Sequence, residues 1–205
     1  MTEIDNHLSF WENDCNPNDF HRWCGRKSWK DIIAAFIVKG DYKSVLDIGC
    51  GTGVMYETLQ DMKYPHLGTY TGIDITPKWV SLCKSKKIRA FVGDCRNLHF
   101  GANSPIPDSS YEFVLSLDVL NHQTSFEESI NEAVRVASKA VLFSFFKGFE
   151  SPARIEQRYE HLIYHFFNKE EIENFLKDKN LKYMWLDPRD GIPNSSRPHH
   201  LFILL

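Results

Sequence analysis

Two kinds of apolar pattern alternate along the chain. Short continuous apolar runs that end in turn residues are typical of buried parallel strands, whereas apolar residues at every third or fourth position are typical of amphipathic helices. The first pattern predicts five strands: VLDI (45–48), TYTGID (69–74), RAFV (89–92), YEFVLSL (111–117) and KAVLFSFF (139–146). The second pattern fills the segments between most of them, whereas RAFV is followed by a loop and by the turn-rich segment 101–110.

Capping residues predict where several of these helices begin. A side-chain oxygen just before the first turn, with an acidic residue three positions later, is typical of a helix start, and proline is favoured at the first helical position. Four starts fit these rules: Ser28 with Asp31, Thr76 before Pro77, Ser125 with Glu128, and Asn168 with Glu171. A further helix is predicted from about residue 53 to residue 62, after the glycines of the first turn.

The last two predicted strands, LKYMWL (181–186) and HHLFILL (199–205), have no helical pattern between them. Two consecutive strands joined by a loop pair antiparallel, here at one edge of the sheet. The whole pattern therefore predicts an α/β fold with a Rossmann-like, doubly wound and mostly parallel sheet. In such sheets ligands bind at the carboxyl ends of the strands.

The 205 residues show no repeat, linker or low-complexity tract, and this length suits a single domain. We assign residues 28–205 to that domain. Residues 1–27 lack clear periodicity, although they contain several aromatic residues among Asn, Asp and His. They are predicted to form an irregular arm that packs on the core, or equally a lid.

Charge and cysteine content exclude several classes of protein. Lys+Arg number 24 and Asp+Glu 27, giving a net charge of −3, so no global basic field favours nucleic acid as a partner. The five cysteines are odd in number and form no C-x-x-C pair, which indicates reduced thiols rather than a disulfide framework or zinc ribbon. The sequence has no apolar leader and no run near the ~18 residues of a membrane span, so we expect a cytoplasmic protein. No pattern indicates an oligomeric state.

The first predicted strand ends in a glycine cluster that allows close approach of a ligand. Gly49, Gly51 and Gly53 follow the strand with G-x-G-x-G spacing, and Val54 stands where a dinucleotide site requires its third glycine. Asp47 lies two positions before the first glycine. Its carboxylate would repel a pyrophosphate but attract a cation such as the ammonium group of a methionine moiety.

The segment VLDIGCGTG, residues 45–53, resembles the first motif of the class I S-adenosylmethionine-dependent methyltransferases. The resemblance extends over about residues 28–205 and implies a seven-stranded sheet whose last strand is antiparallel. It implies S-adenosyl-L-methionine as the methyl donor and S-adenosyl-L-homocysteine as the product. The resemblance places residues of this motif, and residues at the ends of the second and fourth strands, at the cofactor. They are Asp47, Gly49, Cys50, Gly51 and Gly53 from the motif, with Ile75 and Leu117 from the strand ends.

Three further positions match later cofactor motifs of the family. Asp74, at the end of the second strand, resembles the acid that accepts hydrogen bonds from both ribose hydroxyls, a role that suits an acceptor-only carboxylate. Asp94 resembles the residue that receives the exocyclic amine of adenine, and Cys95 the residue that supplies a backbone N–H. The alternatives are a helix-capping role for Asp74 and an ordinary loop role for Asp94.

The segment after the fourth strand is where the methyl acceptor of the family approaches. It contains Asp118, Asn121 and His122, and it lacks the (D/N/S)-P-P-(Y/F/W) sequence of enzymes that methylate amino groups of nucleic-acid bases or glutamine. The metal-dependent catechol-type enzymes of this fold need clustered acidic ligands, and the expected Asp-Asn pair is not evident after Asp118, so we predict no metal. We predict that His122 is the general base or positions the acceptor; the alternative is a histidine that caps or packs on the next helix.

Other aromatic and histidine residues are weaker candidates. Tyr164, His165 and Phe166 either line an acceptor pocket or belong to the core. His199 and His200 are a poor metal chelate because adjacent strand residues face opposite ways. We assign acceptor choice to the N-terminal arm and to the segment from Phe145 to His165.

The leading interpretation is a methyltransferase that acts on an oxygen or nitrogen of a small-molecule acceptor. Two alternatives use the same cofactor site: a protein or RNA methyltransferase, and a non-catalytic module that retains the cofactor pocket. The sequence does not identify the acceptor, because acceptor-binding loops vary independently of the fold.

Overall fold

The computed structural model describes residues 9–101, 104–159, 162–186 and 199–205. The strands are listed in chain order: β1 (Val45–Ile48), β2 (Tyr70–Asp74), β3 (Ala90–Val92), β4 (Tyr111–Leu117), β5 (Ala137–Phe145), β6 (Arg154–Tyr159), β7 (Leu162–Phe166), β8 (Lys182–Leu186) and β9 (His199–Leu204). All seven strands predicted from the sequence are present. The β6–β7 hairpin is an addition.

Seven of these strands form one sheet in the order β3-β2-β1-β4-β5-β9-β8. The first five pair in parallel, and β9 runs antiparallel to both β5 and β8. The predicted fold class is therefore confirmed, including the antiparallel strand and the position of the β8–β9 pair at one edge. The loop predicted between them, residues 187–198, lies outside the described residues.

Helices cover both faces of the sheet. They are α1 (Pro17–Cys24), α2 (Ser28–Lys39), α3 (Val54–Asp61), α4 (Pro77–Ser85), α5 (Glu127–Val136) and α6 (Lys169–Asp178). One apolar cluster joins α2, α3 and α4 to the sheet, and a second joins α5 and α6 to it. In the described part of the chain, no helix has the length and apolar character needed to cross a membrane.

Two of the four predicted helix caps are wrong. Ser28 is the first residue of α2 and not its cap. The cap position is occupied by Lys27, whose side chain makes no capping hydrogen bond. Ser125 Oγ donates to Glu127 Oε2, and the cap of α5 is Phe126. Asn168 does cap α6, because its side chain accepts from the backbone N–H of Glu170.

The N-terminal arm is more regular than predicted. A π turn at Phe10–Asp14 precedes α1, and the side chain of Asn16 caps α1 by accepting from the N–H groups of Asn18 and Asp19. The prediction of an irregular arm is therefore wrong for these residues, while residues 1–8 lie outside the described residues. The apolar pattern does not predict this short helix because few of its positions are apolar. Its start is defined instead by the polar cap and by Pro17.

The arm packs over the carboxyl edge of the sheet as a small third cluster. Phe10, Cys15 and Phe20 are buried there against Trp79 of α4 and Leu162 of β7. Polar contacts fix the same position, because Lys78 Nζ donates to the backbone oxygens of Glu12 at 2.6 Å and of Cys15 at 2.8 Å. The arm and the β6–β7 hairpin therefore meet above the strand ends where ligands bind in such sheets.

Candidate functional site

A cavity of about 410 Å³ lies under the arm at the carboxyl ends of β1, β2 and β4. Its lining is mostly apolar, with a few charged side chains at separate points. The described carboxylates that line it are those of Asp47, Asp74, Asp94 and Asp118. A concave, largely apolar pocket with a few polar groups is the usual form of a small-molecule site.

The glycine turn after β1 forms one wall of the cavity. Gly49 and Gly51 have φ angles of +76° and +52°, which favour glycine. A Cβ at Gly51 would lie 2.2 Å from Cζ of Phe20, and one at Gly49 would lie 2.2 Å from Cγ2 of Val119. The turn is therefore pinned between the arm and the segment after β4, with no room for a larger residue.

The carboxylate of Asp74 stabilises this turn by hydrogen bonds to backbone N–H groups. Its Oδ2 accepts from the backbone N–H of Gly51 at 2.8 Å, and its Oδ1 accepts from that of Thr76 at 2.9 Å. Asp74 is buried but reaches the cavity, and burial raises its pKa even though both N–H groups favour the ionised form. Each oxygen retains a second lone pair for a ligand hydroxyl. The capping role and the ligand-binding role are thus compatible.

Asp47 lies deeper in the same wall. Tyr70 Oη donates to its Oδ2 at 2.6 Å. Burial raises the pKa of Asp47 to about 6, against the lowering effects of that hydrogen bond and of the nearby Lys30 ammonium. The carboxylate is therefore poised to ionise fully when a cation enters the cavity.

Lys30 is a buried cation in the cavity wall and was not predicted as a site residue. Its side chain is only 6% exposed, whereas Ile32 on the same helix is 60% exposed. Its Nζ donates to the backbone oxygen of Cys24 and lies 5.2 Å from the ring centroid of Trp29. A buried charge is costly unless opposite charges compensate it. The ammonium group of Lys30 is compensated by the nearby carboxylates of Asp47 and Asp118.

Asp94 lies at the far end of the cavity, after β3. Arg96 binds it through two side-chain nitrogens, with Nη2 at 3.0 Å from Oδ2, and through its backbone N–H at 2.9 Å from Oδ1. Burial opposes ionisation of Asp94, but these hydrogen bonds outweigh it and lower the pKa of the carboxyl. Cys95 beside it accepts from the side-chain amide of Gln123, which joins this loop to the segment after β4.

The end of β4 is tied to its neighbours by polar side chains. The N–H of Asp118 donates to Ser144 Oγ at 2.7 Å, and that hydroxyl donates to Asp118 Oδ1 at 2.8 Å. Asn121 is fully buried and does not line the cavity. Its Nδ2 donates to the backbone oxygen of His165 at 2.7 Å, and its Oδ1 accepts from the N–H of Lys147.

His122 lies in the cavity wall among three aromatic rings. The ring centroids of Trp11, Phe146 and Tyr164 lie 5.5, 5.0 and 5.5 Å from that of the imidazole. Its Nδ1 lies 3.1 Å from the backbone oxygen of Ile163. Since a carbonyl oxygen only accepts, Nδ1 carries the proton and Nε2 carries the lone pair in the neutral ring.

The structure brings most of the predicted site residues together. Those that line the cavity are Asp47, Gly49, Cys50, Asp74, Ile75, Asp94, Cys95, Leu117 and His122. Gly51 and Gly53 lie behind the wall, where Gly51 contacts Phe20 and Gly53 begins α3. The described residues contain no group of three or more His, Cys, Asp and Glu arranged to hold a metal ion.

Residues 46–145 match a family model described as a methyltransferase domain. A phthiotriol/phenolphthiotriol dimycocerosates methyltransferase from Mycobacterium tuberculosis is 28% identical over 107 residues, which are 50% of this chain and 37% of that protein. A Mycobacterium bovis protein with the same name matches equally. The chain thus spans 37% of the length of these curated relatives.

Solved structures resemble nearly the whole chain at low identity. A magnesium protoporphyrin IX methyltransferase from Synechocystis, with bound S-adenosylhomocysteine, has a TM-score of 0.68 at 15% identity, covering 99% of both chains. A Burkholderia thailandensis 1,6-didemethyltoxoflavin-N1-methyltransferase has a TM-score of 0.60 at 17% identity, covering 91% of this chain and 85% of that one. At these identities the likeness shows the fold.

Proposed function

We propose that this chain, whose residues 46–145 match a methyltransferase domain, transfers a methyl group from S-adenosylmethionine to an oxygen or nitrogen of a small-molecule acceptor. The observation that carries the proposal is the single cavity that joins the Asp47, Asp74 and Asp94 carboxylates to a separate aromatic end around His122. One end offers groups that would pair with the polar parts of the cofactor, and the other provides an aromatic chamber for an acceptor.

The residues present fit the cofactor along its length. Asp47 is placed to bind the ammonium of its methionine part, and Lys30 is the nearby cation for the carboxylate. Asp74 would accept hydrogen bonds from the ribose hydroxyls, and Asp94 with Cys95 would bind the edge of adenine. Trp11, Phe20 and Trp79 close the cavity above these groups.

The protein's task in methyl transfer is alignment and exclusion of water. When bound, the cofactor supplies a methyl group that its sulfonium already activates, so an acceptor held in line reacts without a metal. The aromatic rings of Trp11, Phe146 and Tyr164 enclose the acceptor end. His122 Nε2 can take the proton of an acceptor that must lose one.

Calorimetry and mass spectrometry test this proposal in two steps. We expect heat of binding with S-adenosylhomocysteine and none with NAD. We then expect a new methylated small molecule when the protein is incubated with isotope-labelled cofactor and a metabolite extract. Binding of NAD alone would contradict the cofactor assignment. Label found only in protein or RNA would support those acceptor classes instead, and binding without transfer would indicate a non-catalytic module.

Cofactor affinity is expected to fall about tenfold between pH 7 and pH 5, since the pKa of Asp47 is about 6 in the free protein. The sign follows from the charge: a ligand ammonium binds the ionised carboxylate, and this form is lost as the pH falls through about 6. Calorimetry in two buffers of different ionisation enthalpy should show proton release on binding near pH 6. The Asp47→Asn variant should bind weakly with a flatter pH profile; an unchanged profile would exclude Asp47 as the titrating group.

Replacement of Lys30 by methionine is expected to weaken S-adenosylhomocysteine binding about tenfold, the scale of one charge-assisted hydrogen bond. The decarboxylated analogue, S-adenosyl-3-thiopropylamine, lacks the carboxylate and should bind both proteins alike. Lys39→Met, on the exposed side of the same helix, is the matched control. Equal losses for both ligands in Lys30→Met would show that Lys30 only supports the fold of the wall.

A further inference from the structure

Lys147 places an ammonium group at the acceptor end of the cavity. It lies two residues after the end of β5 and lines the cavity together with His122, Phe146 and Tyr164. Its Nζ lies 4.2 Å from the ring centroid of Tyr164, 5.5 Å from that of Phe146 and 5.8 Å from that of Phe166. The buried side chain of Asn121 holds its backbone N–H at 3.3 Å. The position of this cation is therefore built into the wall.

This ammonium group has no carboxylate partner among the described residues, in contrast to its basic neighbours. Arg158 pairs with Glu156 at 2.9 Å, and Arg154 pairs with Glu150 at 2.8 Å. No described acidic group lies within salt-bridge distance of Lys147 Nζ. Burial and the nearby Arg158 charge lower the pKa of Lys147, against the raising effect of Glu156, which lies beyond salt-bridge distance.

A half-buried cation with no described salt-bridge partner, in a largely apolar chamber, favours a ligand of opposite charge. Aromatic rings attract the ammonium but do not neutralise it, and a carboxylate or phosphate oxygen would add a charge-assisted hydrogen bond. The neighbouring arginines, each over an aromatic ring of β7, are paired with glutamates and do not replace Lys147 as the cation that lines this end. A neutral acceptor would leave the ammonium group of Lys147 without an anionic partner.

We infer that the methyl acceptor carries an anionic group, a carboxylate or a phosphate, which Lys147 binds while the reacting atom faces the cofactor end of the cavity. This inference rests on the proposed function, since it concerns the acceptor of that reaction. Lys147 is a specificity-determining residue in this scheme and takes no part in the proton transfer.

Fractionation of the metabolite extract tests the inference. A deproteinised extract is separated at pH 7 by ion exchange into anionic, neutral and cationic fractions, and each is incubated with the protein and isotope-labelled S-adenosylmethionine. We expect labelled product from the anionic fraction. Phosphatase treatment of that fraction separates the two sources: a phosphate acceptor is lost and a carboxylate acceptor survives.

Variants then connect the acceptor charge to Lys147. Lys147→Met should raise KM for the acceptor by ~10-fold or more with a smaller change in kcat, because a charge-assisted contact to the bound anion is lost. Lys147→Arg should retain most of the affinity. Lys169→Met, a lysine 4.9 Å from the ring centroid of Trp185 and outside the cavity, is the matched control and should behave as the unmodified protein.

Failure of the inference and failure of the proposed function are distinguishable. Labelled product whose mass spectrum shows neither a carboxylate nor a phosphate, or an unchanged KM in Lys147→Met, shows that the acceptor is not held by an anionic group. Absence of labelled product from every fraction, in a protein that binds S-adenosylhomocysteine, contradicts the proposed function itself. Calorimetry with S-adenosylhomocysteine on each variant separates loss of the acceptor site from loss of the fold.

Discussion

Replacement of His122 by alanine is expected to lower kcat by ~100-fold or more, the contribution of a positioned general base, while the dissociation constant of S-adenosylhomocysteine stays unchanged. The hydrogen bond from Nδ1 to the Ile163 carbonyl leaves the Nε2 lone pair as the basic site. The loss should be greatest for an acceptor that is protonated at neutral pH. Steady-state kinetics and calorimetry on the same preparations provide both quantities.

His122→Asn is the variant that separates base catalysis from packing. The asparagine amide can donate to the Ile163 carbonyl near the position of Nδ1, but it has no titratable nitrogen. If the imidazole acts as a base, His122→Asn loses as much activity as His122→Ala. If the ring only packs among Trp11, Phe146 and Tyr164, both variants lose less than ~5-fold and their melting temperatures fall instead.

Replacement of Asp74 by alanine is expected to weaken S-adenosylhomocysteine binding by ~2 to 3 kcal/mol, or roughly 30- to 150-fold, because charge-assisted hydrogen bonds are lost. Two effects contribute to this loss of binding free energy. The ribose loses its proposed contacts with the carboxylate, and the backbone N–H groups of Gly51 and Thr76 lose their acceptor. Calorimetry measures the affinity, and far-UV circular dichroism checks the fold.

An analogue that lacks the ribose 2′-hydroxyl separates these two effects. The unmodified protein should prefer S-adenosylhomocysteine to the 2′-deoxy analogue, and Asp74→Ala should lose that preference. A variant that binds both ligands more weakly but keeps the preference would restrict Asp74 to holding the glycine turn. An unchanged dissociation constant would remove Asp74 from the cofactor site altogether.

Local signals in the sequence predicted the cofactor half of the structure well. The strand VLDI coincides with β1, and the acids at the ends of β1 and β2 reach the cavity because the carboxyl ends of parallel strands meet at one edge. These features depend on short runs and on glycine positions with positive φ. Such constraints act within a few residues and are therefore visible in one sequence.

The apolar pattern of α2 predicted only part of its buried side. Trp29, Ile33 and Ile37 are buried, as their helical spacing indicates. Ile32, which belongs to the same pattern, is 60% exposed, whereas Lys30 is buried. The carboxylates that accommodate Lys30 come from distant strands, and only the folded chain brings them near. The buried apolar residues, together with the compensated ammonium group, therefore determine which side of this helix faces the core.

The acceptor half also depends on features that a local pattern does not carry. The β6–β7 hairpin lacks the Asn-Gly or Asp-Gly pair that signals a tight turn, so its aromatic residues appeared only as a run before a helix. The proposed role of Lys147 in acceptor binding depends on its contacts with the side chains of Asn121 and Tyr164. No spacing rule connects these three residues in sequence.

The insertion of β9 between β5 and β8 has a consequence for how the chain folds. Residues 140–145 of β5 pair with residues 199–204, so one edge of β5 stays open until a segment far along the chain arrives. An open, apolar strand edge is a template for pairing with other chains. Pairing between segments so far apart in sequence is slow. We therefore expect aggregation to compete with the pairing of β9 during refolding, and the aggregated fraction to decrease as the protein is diluted.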